Sequence, residues 1–430
     1  MARSLLAVIL GTFTLRLSTG LTGGALVYYL ADLPTYGGPP TDALTVATFS
    51  ALFYASELIG SPLFGVLSDR LGHRRVMLFG PAFGAIAVVI TAFSTNLIVL
   101  GGTRVLEGAS TAASVPSILG FIAFATAGDE ALRGRATARF EAATLAGLMV
   151  GFVLAGLFYP VLGPMVFLLN AVLYAISFAI YRLGVPKTAE PPPHPEQGVR
   201  GRAALSRYWQ ILLGSHVWLL APTWIAINAT LGLFTSATLF QLVREPNPEF
   251  SDQLLMGGMS PVTVSIGLAI GGLLFFAGIF WWGRRFASMR RTTIIFYGIL
   301  GGAAVLAAGF GINHATGVSL LIPLALAVLG IAGLFVLAGA TPAAIGLLAD
   351  VTEAYPDDRG AIMGLYSVFL GLGQIVGAIL GGFAAQAWGL DGIFVVALLL
   401  LAIALLPLAH LRRYEHFVGV GKPVTLAEEA

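Results

Sequence analysis

The sequence predicts an all-α membrane protein with twelve transmembrane helices, and its composition gives the first evidence. The 430 residues are 57% hydrophobic and only 10% charged, whereas about 25% of the residues of a typical soluble domain are charged. The mean hydropathy is +0.89. The 54 glycines and 22 prolines are typical of polytopic helical proteins, in which small residues allow close helix packing. The bilayer is therefore the expected solvent.

Long apolar runs define the individual helices, because about 20 apolar residues cross a bilayer. The first run, from Leu5 to Leu30, is too long for the apolar part of a cleavable signal peptide and is interpreted as the first span. The runs that follow are separated by short polar turns, and their even number leaves both termini on one side. The predicted spans are residues 5–30, 43–67, 76–97, 98–125, 137–160, 164–184, 210–240, 262–282, 291–312, 317–347, 361–387 and 391–411.

The basic residues are distributed unequally between the two sides of the membrane. If the termini are cytoplasmic, all but three of the 23 lysines and arginines fall in cytoplasmic segments; the exceptions are Arg244, in an outer loop, and Arg16 and Arg104, inside spans. This asymmetry predicts a multi-pass protein of the cytoplasmic membrane with both termini inside. The net charge of +2 is too small to indicate a nucleic-acid partner, and the absence of cysteine excludes thiolate metal sites.

A polar segment with several prolines divides the chain near its middle. Residues 185–209 are predicted to form a cytoplasmic linker that is extended in its proline-rich part. The linker separates an N-terminal six-helix bundle, residues 1–184, from a C-terminal six-helix bundle, residues 210–411. Residues 412–430 form a predicted cytoplasmic tail, and no outer loop is long enough to be a catalytic domain.

The turn between the second and third spans carries the most specific motif, Gly-x-Leu-x-Asp-Arg-x-Gly-x-Arg-Arg. It resembles the loop between helices two and three of the major facilitator superfamily. The resemblance implies two pseudo-symmetric bundles and a cytoplasmic gate, in which Asp69 faces the positive end of the eleventh span. Asp69 and Arg70 equally fit a plain turn that fixes the topology. The motif residues are Gly65, Leu67, Asp69, Arg70, Gly72, Arg74 and Arg75.

Arg104 and Glu107 lie three residues apart in the fourth span, and therefore on one helical face. The sequence Arg-Val-Leu-Glu-Gly resembles a second superfamily signature, Arg-x-x-Gln-Gly, with Glu107 in place of the glutamine. In that family the arginine lines the central cavity and takes part in proton coupling, and the resemblance implies this role for Arg104. Glu107 is then either a second proton carrier or the partner that neutralises Arg104.

Three further ionisable residues of the first half lie at predicted membrane depth, where a charge costs about 2.5–3.5 kcal/mol on insertion scales. Arg16 and Glu57 have nearly equal depths in spans one and two, so that they could pair. The pair would be either a fixed link between helices or a titratable carboxylate that releases Arg16 on protonation. Glu141 is predicted in the first turn of span five, as a helix-dipole partner or as part of the cytoplasmic gate.

The second half offers only neutral polar residues at comparable depth, chiefly Asn228, Tyr366 and Gln374. The fold implies a cavity between helices one, four, seven and ten, whose other side chains are mostly apolar and suit a lipophilic or amphipathic substrate. In span five, Gly147 and Gly151 resemble part of the drug/proton antiporter signature, although Phe152 stands at its proline position. The same glycines also fit simple close packing of helices.

These features predict a secondary active transporter whose motifs are closest to the twelve-span drug/proton antiporter families. The expected activity is proton-coupled efflux of a lipophilic or amphipathic small molecule by alternating access. No Gly-x-x-x-x-Gly-Lys-[Ser/Thr] loop occurs in the sequence, so ATP is not the expected energy source. The alternative is a proton-coupled carrier of an organic anion or lipid-like molecule bound through Arg16 and Arg104.

Two other classes of protein fit the sequence less well. An embedded enzyme needs clustered catalytic groups, whereas the acids are spread over spans two, four and five and the six histidines are scattered. A receptor or passive scramblase would not accumulate substrate along a gradient. We therefore expect no enzymatic activity, no cofactor and no metal. We expect a monomer whose partners are a small-molecule substrate, protons and the bilayer.

Overall fold

Helices make up nearly all of the secondary structure in the computed structural model, which describes residues 2–126, 129–185, 217–285, 288–354 and 359–418. No strand occurs within these ranges. Nine helical segments among them are long and apolar enough to cross a membrane, and Trp218–Leu233 is a shorter apolar helix. The predicted all-α membrane class is confirmed. Residues 186–209 of the predicted linker and 419–430 of the predicted tail lie outside the described residues.

Two of the nine segments are too long to be single spans. Arg135–Gly184 has 50 residues and Val368–Arg413 has 46, so that each would extend, at about 1.5 Å per residue, over more than twice the bilayer core of about 30 Å. A 3-10 turn that begins at Gly163, with φ of 53°, divides the first segment. Trp388 and Gly389 have non-helical dihedral angles and divide the second. The described helices are thus consistent with twelve spans.

The described chain forms two compact units. The first contains the residues up to 185 together with Leu239–Glu245 and Gly257–Ala269. Its helices begin at polar caps where the sequence supplies them, as when Asp42 accepts a hydrogen bond from the backbone N–H of Thr45 at 2.8 Å. The helices of the first 185 residues are α1 (Ala2–Ala31), α2 (Ala43–Leu71), α3 (His73–Met77), α4 (Phe79–Ala92), α5 (Leu97–Ala125), α6 (Glu130–Leu162) and α7 (Val166–Gly184).

The second unit contains the described residues 217–238, 246–256 and 270–418. One π-helical turn, Phe234–Thr238, follows its first helix and separates it from the short helix of the first unit. The predicted span 317–347 is two helices, which meet at Ala338 and Gly339. The remaining helices of the chain are α8 (Val217–Leu233), α9 (Leu239–Val243), α10 (Pro261–Gly283), α11 (Arg291–Asn313), α12 (Leu321–Leu337), α13 (Ala340–Ala354) and α14 (Arg359–Val418).

Glycines bring α1 and α6 into backbone contact within the first unit. A Cβ atom on Gly151 would overlap the carbonyl oxygen of Leu17, and one on Gly20 would overlap the carbonyl oxygen of Leu148. The close packing expected of Gly147 and Gly151 is therefore present. It fixes the rotation of α1, and with it the direction in which the side chains of α1 point.

Polar side chains fix α1 against α7 on another side. The amide nitrogen of Asn170 donates to the carbonyl oxygen of Ser18 at 2.9 Å and to the hydroxyl of Thr22 at 2.7 Å. Two turns further along α7, the Ser177 hydroxyl donates to the carbonyl oxygen of Gly11 at 2.9 Å. All these groups are buried, so the bonds are made where water cannot replace them. The first helix is thereby held from both neighbours.

Candidate functional site

Arg104 and Glu107 form a buried ion pair on α5. The Arg104 Nη1 group donates a hydrogen bond to Glu107 Oε2, and the two residues are only 7% and 2% exposed. The Arg104 guanidinium also lies over the ring of Phe53, with its Cζ 4.7 Å from the ring centroid. The predicted contact on one helical face is therefore made, and the aromatic ring provides a second favourable surface for the cation.

The second oxygen of Glu107 has a different environment. Oε1 is buried and accepts no full hydrogen bond from the described groups, although the Thr22 hydroxyl is a polar neighbour. That hydroxyl donates to the carbonyl oxygen of Ser18 at 3.1 Å and accepts the bond from Asn170. Glu107 thus lies beside the polar seam between α1 and α7. An oxygen that accepts no full hydrogen bond is a chemically sensible position for a proton.

Arg16 is the second buried guanidinium of the first unit, and it is only 8% exposed. The absence of a side chain at Gly147 leaves room for it, since a Cβ there would lie 2.9 Å from Arg16 Cβ. Its Nη1 group donates to the Thr111 hydroxyl on α5 at 3.5 Å, the long limit of a hydrogen bond. Arg16 is positioned by α6 and held only weakly by α5.

Two half-buried carboxylates lie near enough to Arg16 to interact with its charge. Glu57 on α2 and Glu141 on α6 both interact with its positive charge. Among the described residues, however, no carboxylate oxygen lies within 4.0 Å of the Arg16 guanidinium. Arg16 and Glu57 are therefore neighbours in one electrostatic cluster without direct contact. Tyr54, one turn before Glu57, interacts with the same charges.

The expected helix start near Glu141 was wrong. Helix α6 begins at Glu130 rather than at residue 137, because Asp129 caps it and accepts a hydrogen bond from the backbone N–H of Leu132 at 2.8 Å. Glu141 therefore lies in the third to fourth turn, where the helix dipole no longer acts on it. Its proximity to Arg16 is the interaction that remains, and it joins Glu141 to the cluster of buried charges.

The motif after α2 folds as a turn of one residue. Gly72 has φ of 91°, which favours glycine, and its backbone N–H closes the end of α2 on the carbonyl oxygen of Ser68 at 2.9 Å. Gly65 lies on the last turns of α2, where its carbonyl oxygen accepts a bond from the Ser68 hydroxyl. The side chain of Asp69 lies outside the described residues, so its gate role stays a prediction.

The arginines of this motif have different surroundings. Arg74 donates through Nε to the carbonyl oxygen of Val185 and through Nη2 to that of Arg182 at 2.8 Å. It therefore caps the C-terminal end of α7, where a cation is favoured. Arg70 and Arg75 are exposed, whereas Arg74 is half-buried. Arg74 thus has a structural role within the first unit that the spacing of the motif did not predict.

The site residues predicted in the second unit have neutral side chains. Asn228 is 2% exposed and donates within α8 to the carbonyl oxygen of Trp224 at 2.9 Å. Gln374 on α14 is also buried, and its Oε1 accepts no hydrogen bond among the described groups. Glycines again permit close contact, because a Cβ on Gly377 would overlap the carbonyl oxygen of Ala229. The side chain of Tyr366 lies outside the described residues.

A polar cluster at one end of the second unit was missed by the sequence analysis. Asp252, His314 and Asp391 have ligand atoms within 4.8 Å of one another, near enough to surround a metal ion. Asp391 already accepts hydrogen bonds from Asn313 at 2.9 Å and from His314 at 2.8 Å. These contacts fasten the end of α11 to the second half of α14. The residues are 62 and 77 positions apart, and no sequence signal links them.

The helical architecture and the buried charges agree with a comparison against known families. The family model of the major facilitator superfamily matches residues 8–335 and 248–425. The chain belongs to the major facilitator superfamily. It is therefore an integral multi-pass membrane transporter and not an enzyme, and the recognition from its two motifs is confirmed. The major facilitator fold is likewise confirmed.

Two relatives and one solved structure illustrate what the chain is similar to. The chain is 28% identical over 204 residues to a triacylglyceride transporter of Mycobacteroides abscessus, covering 44% of this chain and 39% of that protein. It is 22% identical over 273 residues to the quinolone resistance protein NorA of Staphylococcus aureus, covering 64% of each. The alignments thus span less than two thirds of these relatives. The solved structure of the human organic anion transporter MFSD10 has the same fold, with a TM-score of 0.64, 18% identity and coverage of 95% and 98%.

Proposed function

We propose that this superfamily member is a proton-coupled antiporter that exports lipophilic or amphipathic small molecules by alternating access. One observation carries the proposal: in the apolar helices of the first unit, three carboxyl groups interact with two guanidinium groups, one by direct contact and two at longer range. The carboxyl groups belong to Glu57, Glu107 and Glu141, and the guanidinium groups to Arg16 and Arg104.

The charges of this cluster do not balance when every group is ionised. The cluster then has one net negative charge, and an uncompensated charge at membrane depth is costly. Binding one proton restores neutrality. Glu57, which like Glu141 interacts with Arg16 without direct contact, can bind this proton and leave the pair of Arg104 and Glu107 intact. A cluster with one acid in excess is therefore suited to take up and release a single proton.

The transport step follows from this charge balance. Glu57 or Glu107 takes up a proton from the outside, which weakens its attraction to Arg16 or Arg104 and frees that helix to move. The proton leaves on the inside as the transporter resets, after substrate has been released outside. The carboxyl group binds the proton and later releases it, so no covalent bond of another group forms or breaks. Alternating access of the two bundles supplies the movement.

The uncharged polar side chains buried in the second unit support an apolar substrate. Its buried polar groups at this depth, Asn228 and Gln374, can orient a ligand by hydrogen bonds but cannot bind one by charge. The large apolar side chain of Trp224 is fully buried beside them on α8. The names of the two relatives, a quinolone resistance protein and a triacylglyceride transporter, agree with lipophilic substrates. Tyr366 is proposed as a further residue of this wall.

Flux into proteoliposomes tests the coupling. A lipophilic fluorescent cation serves as the probe, and a pH gradient across the membrane should drive its accumulation. Glu57→Gln or Glu107→Gln should lower gradient-driven accumulation at least tenfold, because the neutral amide cannot take up the proton. Glu249→Gln, which changes an exposed acid in a loop, is the matched control. If Glu57→Gln and Glu107→Gln both retain full proton coupling, these residues have no part in the mechanism.

A second candidate function rests on Arg16. Its guanidinium is buried, and among the described residues it forms no direct ion pair, so it could bind a carboxylate or phosphate itself. The chain would then carry an organic anion or a lipid-like molecule through Arg16 and Arg104. Arg16→Gln should abolish uptake of a lipophilic fluorescent anion but spare that of the cation if this candidate is correct. Arg244→Gln provides the control outside the membrane.

We also propose that the protein acts as a monomer in the cytoplasmic membrane, with both termini and the turn at Gly72 inside. The natural absence of cysteine gives a clean background for testing the orientation. Thr35→Cys and Ser288→Cys introduce thiols at exposed positions of opposite predicted sides. An impermeant maleimide added to intact cells should label the first and not the second. The reverse labelling would refute the proposed orientation.

A further inference from the structure

A groove runs along the outer face of the first unit between α1 and α7. It is a shallow depression, open along its length, with a volume of about 540 Å³. The groove exists because small residues lie at its base: Gly184 has no side chain, and a Cβ there would overlap Ala7. The larger side chains that line it are Arg3, Leu6, Leu10, Ile176, Ile180 and Leu183.

The walls of the groove are exposed apolar side chains. Leu183 is 82% exposed, Leu6 57% and Leu10 50%. Both helices cross the membrane, so these side chains contact lipid rather than water. A smooth helical face would contact many exchanging lipids, whereas a groove can hold one acyl chain along its length.

Positive charge lies at one end of the same groove. Arg3 lines it directly, and Arg182, which is exposed, immediately precedes Leu183 on α7. The sequences of α1 and α7 contain no acidic residue. Arg74, which caps the end of α7, adds a third guanidinium nearby. Basic groups at the end of an apolar groove between helices are the arrangement that binds anionic lipid headgroups.

We propose that this groove is a binding site for one anionic phospholipid. One acyl chain lies between α1 and α7 against Leu6, Leu10 and Ile180. The phosphate accepts hydrogen bonds from the guanidinium groups of Arg3 and Arg182, for which arginine has the matching geometry. The lipid would bridge the first helix, which carries Arg16, to the last helix of the first bundle.

Native mass spectrometry of the purified, full-length protein in detergent tests this site. Phosphatidylglycerol and phosphatidylcholine of identical chains are added at equal concentrations, and one phosphatidylglycerol should be retained preferentially. Arg3→Gln and Arg182→Gln should each weaken its retention about fivefold, the effect of about 1 kcal/mol per basic residue at a membrane surface. Arg284→Gln, at an exposed arginine of the second unit, should have no effect.

A second pair of variants tests the groove itself. Ala179 lines it and is exposed, so Ala179→Phe fills it without disturbing the protein interior. Ala175, one turn earlier on α7, is also exposed but does not line the groove. Ala179→Phe should abolish preferential retention, and Ala175→Phe should preserve it. Equal retention of the two lipids, or retention unchanged by Arg3→Gln and Ala179→Phe, would overturn the proposal. Because lipid retention is measured without transport, the result does not depend on the proposed antiport.

Discussion

The two units pack their helices in the same way, through close contacts at glycines, but they differ in the polar side chains that they bury. In each, a glycine-rich helix contacts its neighbour backbone to backbone, through Gly151 on α6 in the first unit and Gly377 on α14 in the second. Among the described residues, the buried charged side chains, Arg16, Arg104 and Glu107, all belong to the first unit. Among the described residues, the shared architecture therefore buries charged side chains in the first unit only.

This difference separates a scaffold role from a chemical role. A helix that is apolar all round gains little from burying a charge, and a buried ion pair is weak evidence for stability. Charges that are kept in one unit at such a cost are better explained by a task. The neutral unit, with Asn228 and Gln374 in place of charges, shows that the fold does not need them. If this comparison holds, buried charge should affect stability in the first unit alone, whereas glycine packing should affect it in both units.

The largest expected effect comes from breaking the ion pair of the first unit. Arg104→Gln leaves Glu107 buried without its partner and should lower the free energy of unfolding by about 3–5 kcal/mol. The double variant Arg104→Gln with Glu107→Gln removes both charges and should recover most of this loss. The apparent midpoint of thermal unfolding in detergent is the measurement. A double variant as unstable as the single one would show that the pair acts through packing, as in the second unit.

Glycine contacts should matter equally in both units. Gly151→Ala and Gly377→Ala each introduce a Cβ that overlaps a backbone carbonyl oxygen, which should cost about 1–3 kcal/mol. Gly102 on α5 has open space around it, so that Gly102→Ala should be neutral or stabilising by up to about 1 kcal/mol, the gain in helix propensity. Thermal unfolding of the three variants compares them. If Gly377→Ala behaved like Gly102→Ala, the similarity between the units would fail.

Local contacts could be predicted from the sequence because they depend on spacing along one helix. Arg104 and Glu107, three residues apart, are the clearest case, and their contact follows from helical geometry alone. Contacts between helices could not be derived in the same way. Helices that are apolar on all sides carry no periodic signal for their rotation. The bond from Arg16 to Thr111, 95 residues away, depends on that rotation.

The start of α6 and one polar cluster were not predicted correctly from the sequence, for two different physical reasons. The start of α6 was placed too late because the polar stretch before it was interpreted as a loop, although Asp129 is a good N-cap residue. The cluster of Asp252, His314 and Asp391 comes from three separate segments. The cluster forms only because the segment after the 3-10 turn at residues 248–250 folds back, and no sequence motif predicts this fold.

Two buried asparagines sharpen the comparison at smaller energies. The Asn170 amide donates hydrogen bonds from α7 to α1, whereas the Asn228 amide donates one to a carbonyl oxygen within α8. Asn170→Leu breaks both bonds between the helices and leaves the Thr22 hydroxyl without its donor, at a cost of about 1–3 kcal/mol. Asn228→Leu should cost less than half as much. Thermal unfolding ranks the two, and equal losses would show that inter-helix hydrogen bonds are not special to the first unit.

The smallest expected effect concerns one carboxylate at the end of a helix in each unit. Asp32 follows α1, and partial burial raises the pKa of its carboxyl group, an effect that the negative charge of Glu245 increases and the Tyr159 hydroxyl opposes. A raised pKa means that the ionised form is less favourable in the folded protein than in the unfolded chain. This penalty is absent below the ordinary aspartate value of about 4 and appears as the pH rises through the raised value.

Asp32→Asn should therefore raise the melting temperature at pH 7, by only about 1 °C because the residue is largely exposed to solvent. The gain should vanish as the pH falls towards 4. Asp391→Asn should have the opposite sign, because that carboxylate accepts bonds from Asn313 and His314 in the second unit. Melting curves between pH 4 and 8 compare the two variants. A loss of stability in Asp32→Asn at pH 7 would mean that Asp32, like Asp391, is a structural acceptor, and the contrast between the ends of the two units would disappear.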